Sequence, residues 1–308
     1  MKKCVVIINP KSGKGFQEKD IAKIENILDN YNYDSEIILT KYKRHATKII
    51  KGLPNDIDLV ISVGGDGTFS EVMNGNLLRD NPLVLSHLPV GTANDIGHMY
   101  GLGNNLYTNL KLILEGCVKE VDIGLINNHA FTYVASFGKF MDIPYKTPQE
   151  LKKRLGYMAY VWEVLKRIFH KIPKYKVTFT IDGKKHTGKY TFVIISNANR
   201  IGGINNFYND IKLDDNKLEV MFCSLTKKFD ILKAFYTLKT SDIEYVSGVE
   251  IYKVSEIKID FSDKDTTWCV DGEELSDYKN SYEIKLRQNV KMQVPSKNID
   301  KLFLKNDN

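Results

Sequence analysis

The chain has 308 residues, 43% hydrophobic and 27% charged, with a formal net charge of +6 at pH 7. That length exceeds what one hydrophobic core usually organises, so two domains are expected, and the composition is that of a core-forming globular protein. The charge is mild and spread along the chain, with no aromatic-interleaved basic motif, which argues against nucleic acid and suits an anionic surface or ligand.

The longest apolar runs, 4–8 and 57–63, fall far short of the roughly 20 residues of a membrane span. No cleavage-site pattern of a signal peptide follows Met1-Lys2-Lys3. Cys4, Cys117, Cys223 and Cys269 show neither metal-ligand nor redox spacing, and are read as reduced, mostly core residues of a cytoplasmic protein. The histidines are scattered too, and none is assigned a role.

From the N-terminus, strand and helix patterns alternate. A strand over 4–8 ends in Asn9-Pro10, and Ile21, Ile24, Ile27 and Leu28 then recur at helical spacing. A strand over 36–40, a short helix over 45–53, a buried strand over 57–63, a helix over 68–78 and a strand over 83–88 follow. Continuous apolar strands alternating with helices predict a parallel sheet covered on both faces. After about Val121 the pattern changes to strands joined by turns, over 131–136, 176–181, 190–196, 218–223, 256–261, 266–270 and 282–286. Asp182-Gly183 is a hairpin signal. Helical stretches over 149–170 and 228–238 interrupt this half, which is read as a mostly antiparallel sandwich.

Three loops then fall on one edge, because every strand of a parallel sheet ends on the same side, where open α/β folds bind ligands. They are Asn9-Pro10-Lys11-Ser12-Gly13, Gly64-Gly65-Asp66-Gly67-Thr68 and Gly91-Thr92-Ala93-Asn94-Asp95. Their glycines allow backbone amides to approach phosphate oxygens, and the helix beginning near Thr68 favours an anion at its start. Asp66 amid such donors makes most sense with a divalent cation, magnesium, beside the phosphates. Taken singly, each loop is as well explained as a tight strand-to-helix turn. No G-x-x-x-x-G-K-[ST] string occurs, so the chain is not a P-loop enzyme.

These loops, with Glu71-Val72-Met73-Asn74-Gly75, Val121-Asp122-Ile123-Gly124, Phe131 to Gly138, Asp214-Asp215-Asn216-Lys217-Leu218 and Asp271-Gly272-Glu273, resemble in order the motifs of the diacylglycerol kinase catalytic family. The resemblance covers nearly the whole chain. It implies an α/β fold of two domains, an N-terminal doubly wound, phosphofructokinase-like nucleotide-binding domain over 1–122 and a C-terminal antiparallel β-sandwich, the lipid-substrate domain, over 123–287. Residues 288–308 would return to complete the first domain. By motif match, ATP binding is implied for Asn9, Pro10, Lys11, Ser12, Gly13, Thr40, Gly64, Gly65, Asp66, Gly67, Thr68, Phe69, Ser70 and Thr92. A structural Mg²⁺ maps to Asp215 with the carbonyls of Lys212 and Lys217, and a catalytic base to Glu273. Ala93, His98 and Asn216 depart from the family pattern, and Lys43-Arg44-His45-Ala46 lacks its glycine. None of these removes a charge that the chemistry needs.

On the residues alone, Asp271-Gly272 is first of all a hairpin turn, and Asp214-Asp215-Asn216 a solvated one. Asp122 is expected to end a strand in a structural role. The stretch 149–170 mixes Lys152, Lys153, Arg154, Lys166 and Arg167 with Tyr157, Tyr160, Trp162 and Phe169, which fits a half-buried helix or a membrane-docking one. The reading is Mg²⁺-dependent phosphoryl transfer from ATP to a lipid hydroxyl, diacylglycerol being favoured, with Glu273 and Asp66 as catalytic residues. The protein is expected to be cytoplasmic and peripheral to the inner face of the membrane, where the lipid lies, and by resemblance a homodimer. The alternatives are an NAD kinase, which shares the Gly-Gly-Asp-Gly-Thr string, and a non-catalytic nucleotide-binding regulator.

Overall fold

The computed structural model describes all residues except 14–15, 149, 152–153, 155–158, 160–161, 164–165, 168–171, 206–207, 209, 241–245, 263–266, 276–278, 298 and 305–308. The chain divides into two compact units, Met1–Val121 with Gln288–Asn308, and Asp122–Arg287.

Unit 1 begins β1 (Lys2–Ile8), α1 (Glu18–Asn30), β2 (Tyr33–Leu39), α2 (His45–Gly52), β3 (Leu59–Gly64), α3 (Asp66–Asn76) and β4 (Leu85–Pro89). Short α4 (Asp95–Met99), α5 (Leu106–Leu114) and the start of β5 (Cys117–Ile126) follow. The strands run parallel in the order β2-β1-β3-β4. Every residue of β1 from Cys4 to Ile8 and all of β3 are buried. A strand can bury consecutive residues only if both faces of its sheet are covered. Cys4, Val6 and Ile8 meet Ile24, Ile27 and Leu28 of α1 and Leu110 and Ile113 of α5. Each such aliphatic side chain contributes about 2 kcal/mol on burial.

Unit 2 continues with β6 (His129–Phe131), β7 (Val134–Gly138), α6 (Ile143–Lys146), β8 (Tyr175–Ile181), β9 (Lys184–Tyr190), β10 (Phe192–Ser196), β11 (Arg200–Ile201), β12 (Ile204–Asn205) and β13 (Leu218–Cys223). Then come α7 (Lys228–Thr240), β14 (Val249–Val254), β15 (Glu256–Phe261), β16 (Trp268–Val270), β17 (Glu273–Leu275) and β18 (Ser281–Val294), with α8 (Ile299–Leu302) after it. One antiparallel sheet has the order β14-β13-β10-β7-β16-β17. In a second, β15 pairs with the first part of β18 and with β8, and β8 pairs with β9. Phe179 of the second sheet stacks on Phe222 of the first at 4.1 Å between ring centres, inside one shared core. That is a sandwich.

Two differences from the sequence reading are informative. Asp122 does not end its strand: β5 runs on to Ile126, and Asp122 is buried within it. Strand β18 has 14 residues where a strand over 282–286 is expected, and its last part places Met292 beside Leu85 of β4, in parallel, within unit 1. All four cysteines are unpaired. Burial pushes the Cys4 and Cys269 thiols up to about 12 and Cys223 to about 11. Among the described residues no helix is long and apolar enough to cross a membrane. Most of the stretch 149–170 lies outside the described residues.

Candidate active site

The three glycine-bearing loops of unit 1 do meet. The amide of Asn9 donates to the Val63 carbonyl at 2.9 Å, and its side-chain amide to Thr68 Oγ1 at 3.1 Å, which ties the first loop to the second. Asn9 also shapes its own loop, accepting from Lys11 N–H on Oδ1 and from Ser12 N–H on its carbonyl, each at 3.1 Å. Gly13 adopts φ +61°, and a Cβ there would lie 2.1 Å from the Val90 carbonyl oxygen, so the first loop lies hard against the third. A Cβ on Gly91 would lie 2.6 Å from Gly65 Cα. No side chain fits there. Thr40 joins the edge from β2, its amide donating to the Ile8 carbonyl at 2.8 Å.

Asp66 opens α3, while Thr68, Phe69 and Ser70 are buried along its first turn. The Asp66 carboxylate is buried and already employed: Oδ2 accepts from Asp95 N–H and Oδ1 from Ile96 N–H, both at 3.1 Å. It therefore caps α4 and locks the third loop to the second. Asn94 completes the lock, in the left-handed conformation at φ 54°, by accepting from Gly91 N–H at 2.7 Å and donating back to the Gly91 carbonyl at 3.0 Å. These two bonds fix the orientation of the carboxylate on the edge where the three loops converge. Exposed Lys11 and Thr92 stand on the loops beside it. Sequence reasoning missed the pairing of Asp66 with the 95–96 amides. The Asp-Ile pair at a helix start was its only local trace.

The carboxylates of unit 2 divide into two groups. At the Asp214-Asp215-Asn216 turn, Asn216 is left-handed at φ 59°, and its amide donates to Asp122 Oδ2 at 2.8 Å. Asp215 Oδ1 accepts from Lys217 N–H at 3.0 Å. Burial holds the Asp122 and Asp215 carboxyls above the usual range, and the charge of Asp214 raises both further. Lys253 partly offsets this at Asp215. The turn thus concentrates negative charge in half-buried surroundings and fits a hard, oxygen-seeking cation. No cluster of three or more Asp, Glu, His or Cys spaced for a metal occurs among the described residues. A cation here would draw on backbone carbonyls and water, and Lys212 and Lys217 flank the turn.

The other group is a hairpin. Asp271 and Gly272, at φ 47° and 82°, form the two-residue turn between β16 and β17, with Val270 opposite Glu273. Asp271 is buried and fully occupied: Oδ2 accepts from Thr132 N–H at 2.7 Å and Thr132 Oγ1 at 2.8 Å, and Oδ1 from Tyr133 N–H at 3.1 Å and Val134 N–H at 3.3 Å. Burial pushes its carboxyl up, and these bonds oppose the push. Glu273 is exposed at the start of β17.

Residues 3–126 match the family model for the diacylglycerol kinase catalytic domain. Residues 145–288 match a second, the YegS C-terminal NAD kinase beta sandwich-like domain. A diacylglycerol kinase of Staphylococcus aureus (strain JH9) is 30% identical over 218 residues, 70% of this chain and 68% of that protein. The chain belongs to the diacylglycerol kinase catalytic family. A diacylglycerol kinase of Bacillus subtilis (strain 168) is 28% identical over 270 residues, covering 86% of this chain and 88% of that one. The crystal structure of a diacylglycerol kinase from Bacillus anthracis str. Sterne superposes with a TM-score of 0.75 at 26% identity, over 95% of this chain and 97% of that one. As a member of this family the chain is a kinase, a phosphoryl transferase. Its likeness to NAD kinases is one of fold, in the C-terminal sandwich.

Proposed function

We propose that this kinase transfers the γ-phosphoryl group of ATP to the free hydroxyl of diacylglycerol, or of a closely related lipid alcohol. The observation that carries the reading is the interlocking of three glycine loops at one sheet edge around Asp66, in a chain of this family. Asn9 to Gly13, Thr40, Gly64 to Ser70 and Thr92 form the ATP site, where backbone approach is possible because no Cβ stands in the way. Magnesium bound with the nucleotide would supply charge neutralisation of the phosphates. Asp66, pinned by the 95–96 amides, offers it a fixed carboxylate without having to reorganise. In unit 2, Glu273 accepts the proton of the lipid hydroxyl, and Asp215 with the Lys212 and Lys217 carbonyls would hold a second Mg²⁺, which would stiffen the turn. The product, a phosphorylated lipid, belongs to phospholipid biosynthesis. The protein works at the membrane surface, and the homodimer that the family resemblance implies is read by sedimentation.

Incubating purified protein with labelled ATP and a panel of diacylglycerol, phosphatidylglycerol, a sphingoid base and NAD tests this reading. Label in phosphatidic acid is the expected result. Label in NAD, or in no lipid, overturns it. In the same assay Glu273→Gln abolishes transfer and leaves ATP affinity within about threefold of wild type. A variant that keeps roughly a tenth of the rate or more moves the base to Asp66.

A further inference from the structure

Among the described residues, the most exposed of the large apolar side chains is Phe229, the second residue of α7, at 80%. Ile231 and Ala234 on the same helix are buried, and their spacing defines its inward stripe. At about 100° per residue, Phe229 lies roughly 200° around the helix from Ile231, on the outward face. Lys233 follows it at i+4 on that face, and Lys227 and Lys228 precede it; all three are exposed.

The helix is firmly seated. Ile231 packs with Phe140 and Ile143 in a satellite core, against which Met141 and Leu225 rest. The same Ile143 begins α6, which packs against β17, the strand of Glu273. Asp142, just before α6, accepts from Arg167 at 2.7 Å. Near Arg167 in sequence stands Trp162, 53% exposed, with the Lys166 ammonium 5.5 Å from its ring centre. Two exposed aromatic rings, each accompanied by lysine, thus stand on elements joined through Asp142 and Ile143. Of the elements so joined, α6 adjoins the strand of the candidate base.

An exposed ring flanked by lysines matches an anionic bilayer, where the ring enters the interface and the ammonium groups stay at phosphate level. It matches a protein partner less well, since lysine is depleted at the cores of such interfaces. We propose that Phe229, with Lys227, Lys228 and Lys233, is a docking wedge for the surface of an anionic lipid bilayer. It holds α7, and through Ile143 the α6 that packs on the strand of Glu273, at the layer that carries the substrate. This rests on the lipid-kinase reading above.

Co-sedimentation with vesicles of mixed phosphatidylcholine and phosphatidylglycerol is the test, read beside two kinase assays. One assay presents diacylglycerol in the vesicles, the other a short-chain diacylglycerol dissolved as monomers. Phe229→Ala is expected to lower vesicle partition about tenfold. Lys227→Gln and Lys228→Gln each lower it roughly fivefold and flatten its salt dependence. All three lose rate on vesicle-borne substrate and keep it on the dissolved one, and being surface changes they melt with the wild type. Wild-type partition by Phe229→Ala overturns the wedge, as does an equal loss on both substrates. So does a wild-type dimer that this substitution turns into a monomer, because the ring would then cover a second copy of the chain. If the wild type fails on the dissolved substrate, the lipid-kinase reading falls instead, and vesicle partition alone still judges the wedge.

Discussion

Asp66 in unit 1 and Asp271 in unit 2 both stand at the end of a strand beside glycine, and both are buried. Each accepts backbone amide bonds on both oxygens. Asp66 accepts from Asp95 and Ile96, and Asp271 from three amides with the Thr132 hydroxyl as a fourth donor. Their surroundings separate them. Four donors saturate Asp271 and make it a clasp between the hairpin and residues 132–134. Asp66 is held rigid on the edge where three glycine loops converge, each close enough to its neighbour to exclude a Cβ. A buried carboxylate in a glycine turn becomes chemical machinery when its scaffold fixes it where a phosphate can approach.

The comparison can be broken by mutation. The largest expected effect is on rate: Asp66→Asn folds, losing about 1–2 kcal/mol of stability, but loses about 10³-fold or more in kinase rate. Activity within about threefold of wild type would remove Asp66 from the mechanism. Asp271→Ala reverses the profile, destabilising unit 2 by about 4 kcal/mol in urea unfolding, because three amides and a hydroxyl lose one buried acceptor. A loss below about 1 kcal/mol would show that water replaces the carboxylate.

A smaller effect concerns acid. His87 of β4 is buried opposite Ser62, and among the described residues neither ring nitrogen has a hydrogen-bond partner in good geometry. Burial drives it from 6.5 down to about 3, and the Ser62 backbone offsets only part of this. The unfolded chain therefore binds this proton first. The stability that neutral His87 provides is full above pH 6.5, and is lost at about 1.4 kcal/mol per pH unit as pH falls towards 3. Between pH 7 and 5 the wild type should lose about 2 kcal/mol more than His87→Leu. Parallel losses would mean that His87 is protonated in the fold. The smallest effect is at Asp215: Asp215→Ala should blunt the Mg²⁺ dependence of the rate while ATP affinity stays within about threefold. Superimposable Mg²⁺ titrations would leave that turn without a functional metal.

Local signals carried much of the fold. The apolar run of β1, the helical spacing of Ile24, Ile27 and Leu28, and the positive-φ turns at Asp182-Gly183 and Asp271-Gly272 depend on near neighbours, and each is legible in the residues. Parallel topology then forces the loops after β1, β3 and β4 to one edge. What escaped were partners distant in the chain. Asp122 is occupied by Asn216, 94 residues away, and that pairing leaves no periodic mark.

The sequence by itself determined the element types, the glycines that let three loops touch, and the residues able to carry charge at that edge. Tertiary structure alone decided what holds each carboxylate. Asp66 and Asp271 each stand next to glycine, and chain segments 29 and 139 residues away bring them different partners. The register in which β18 meets β4, Met292 beside Leu85, is likewise a long-range pairing. Hydrogen-bond saturation is a property of what surrounds a group in space, and a linear pattern records only what surrounds it along the chain.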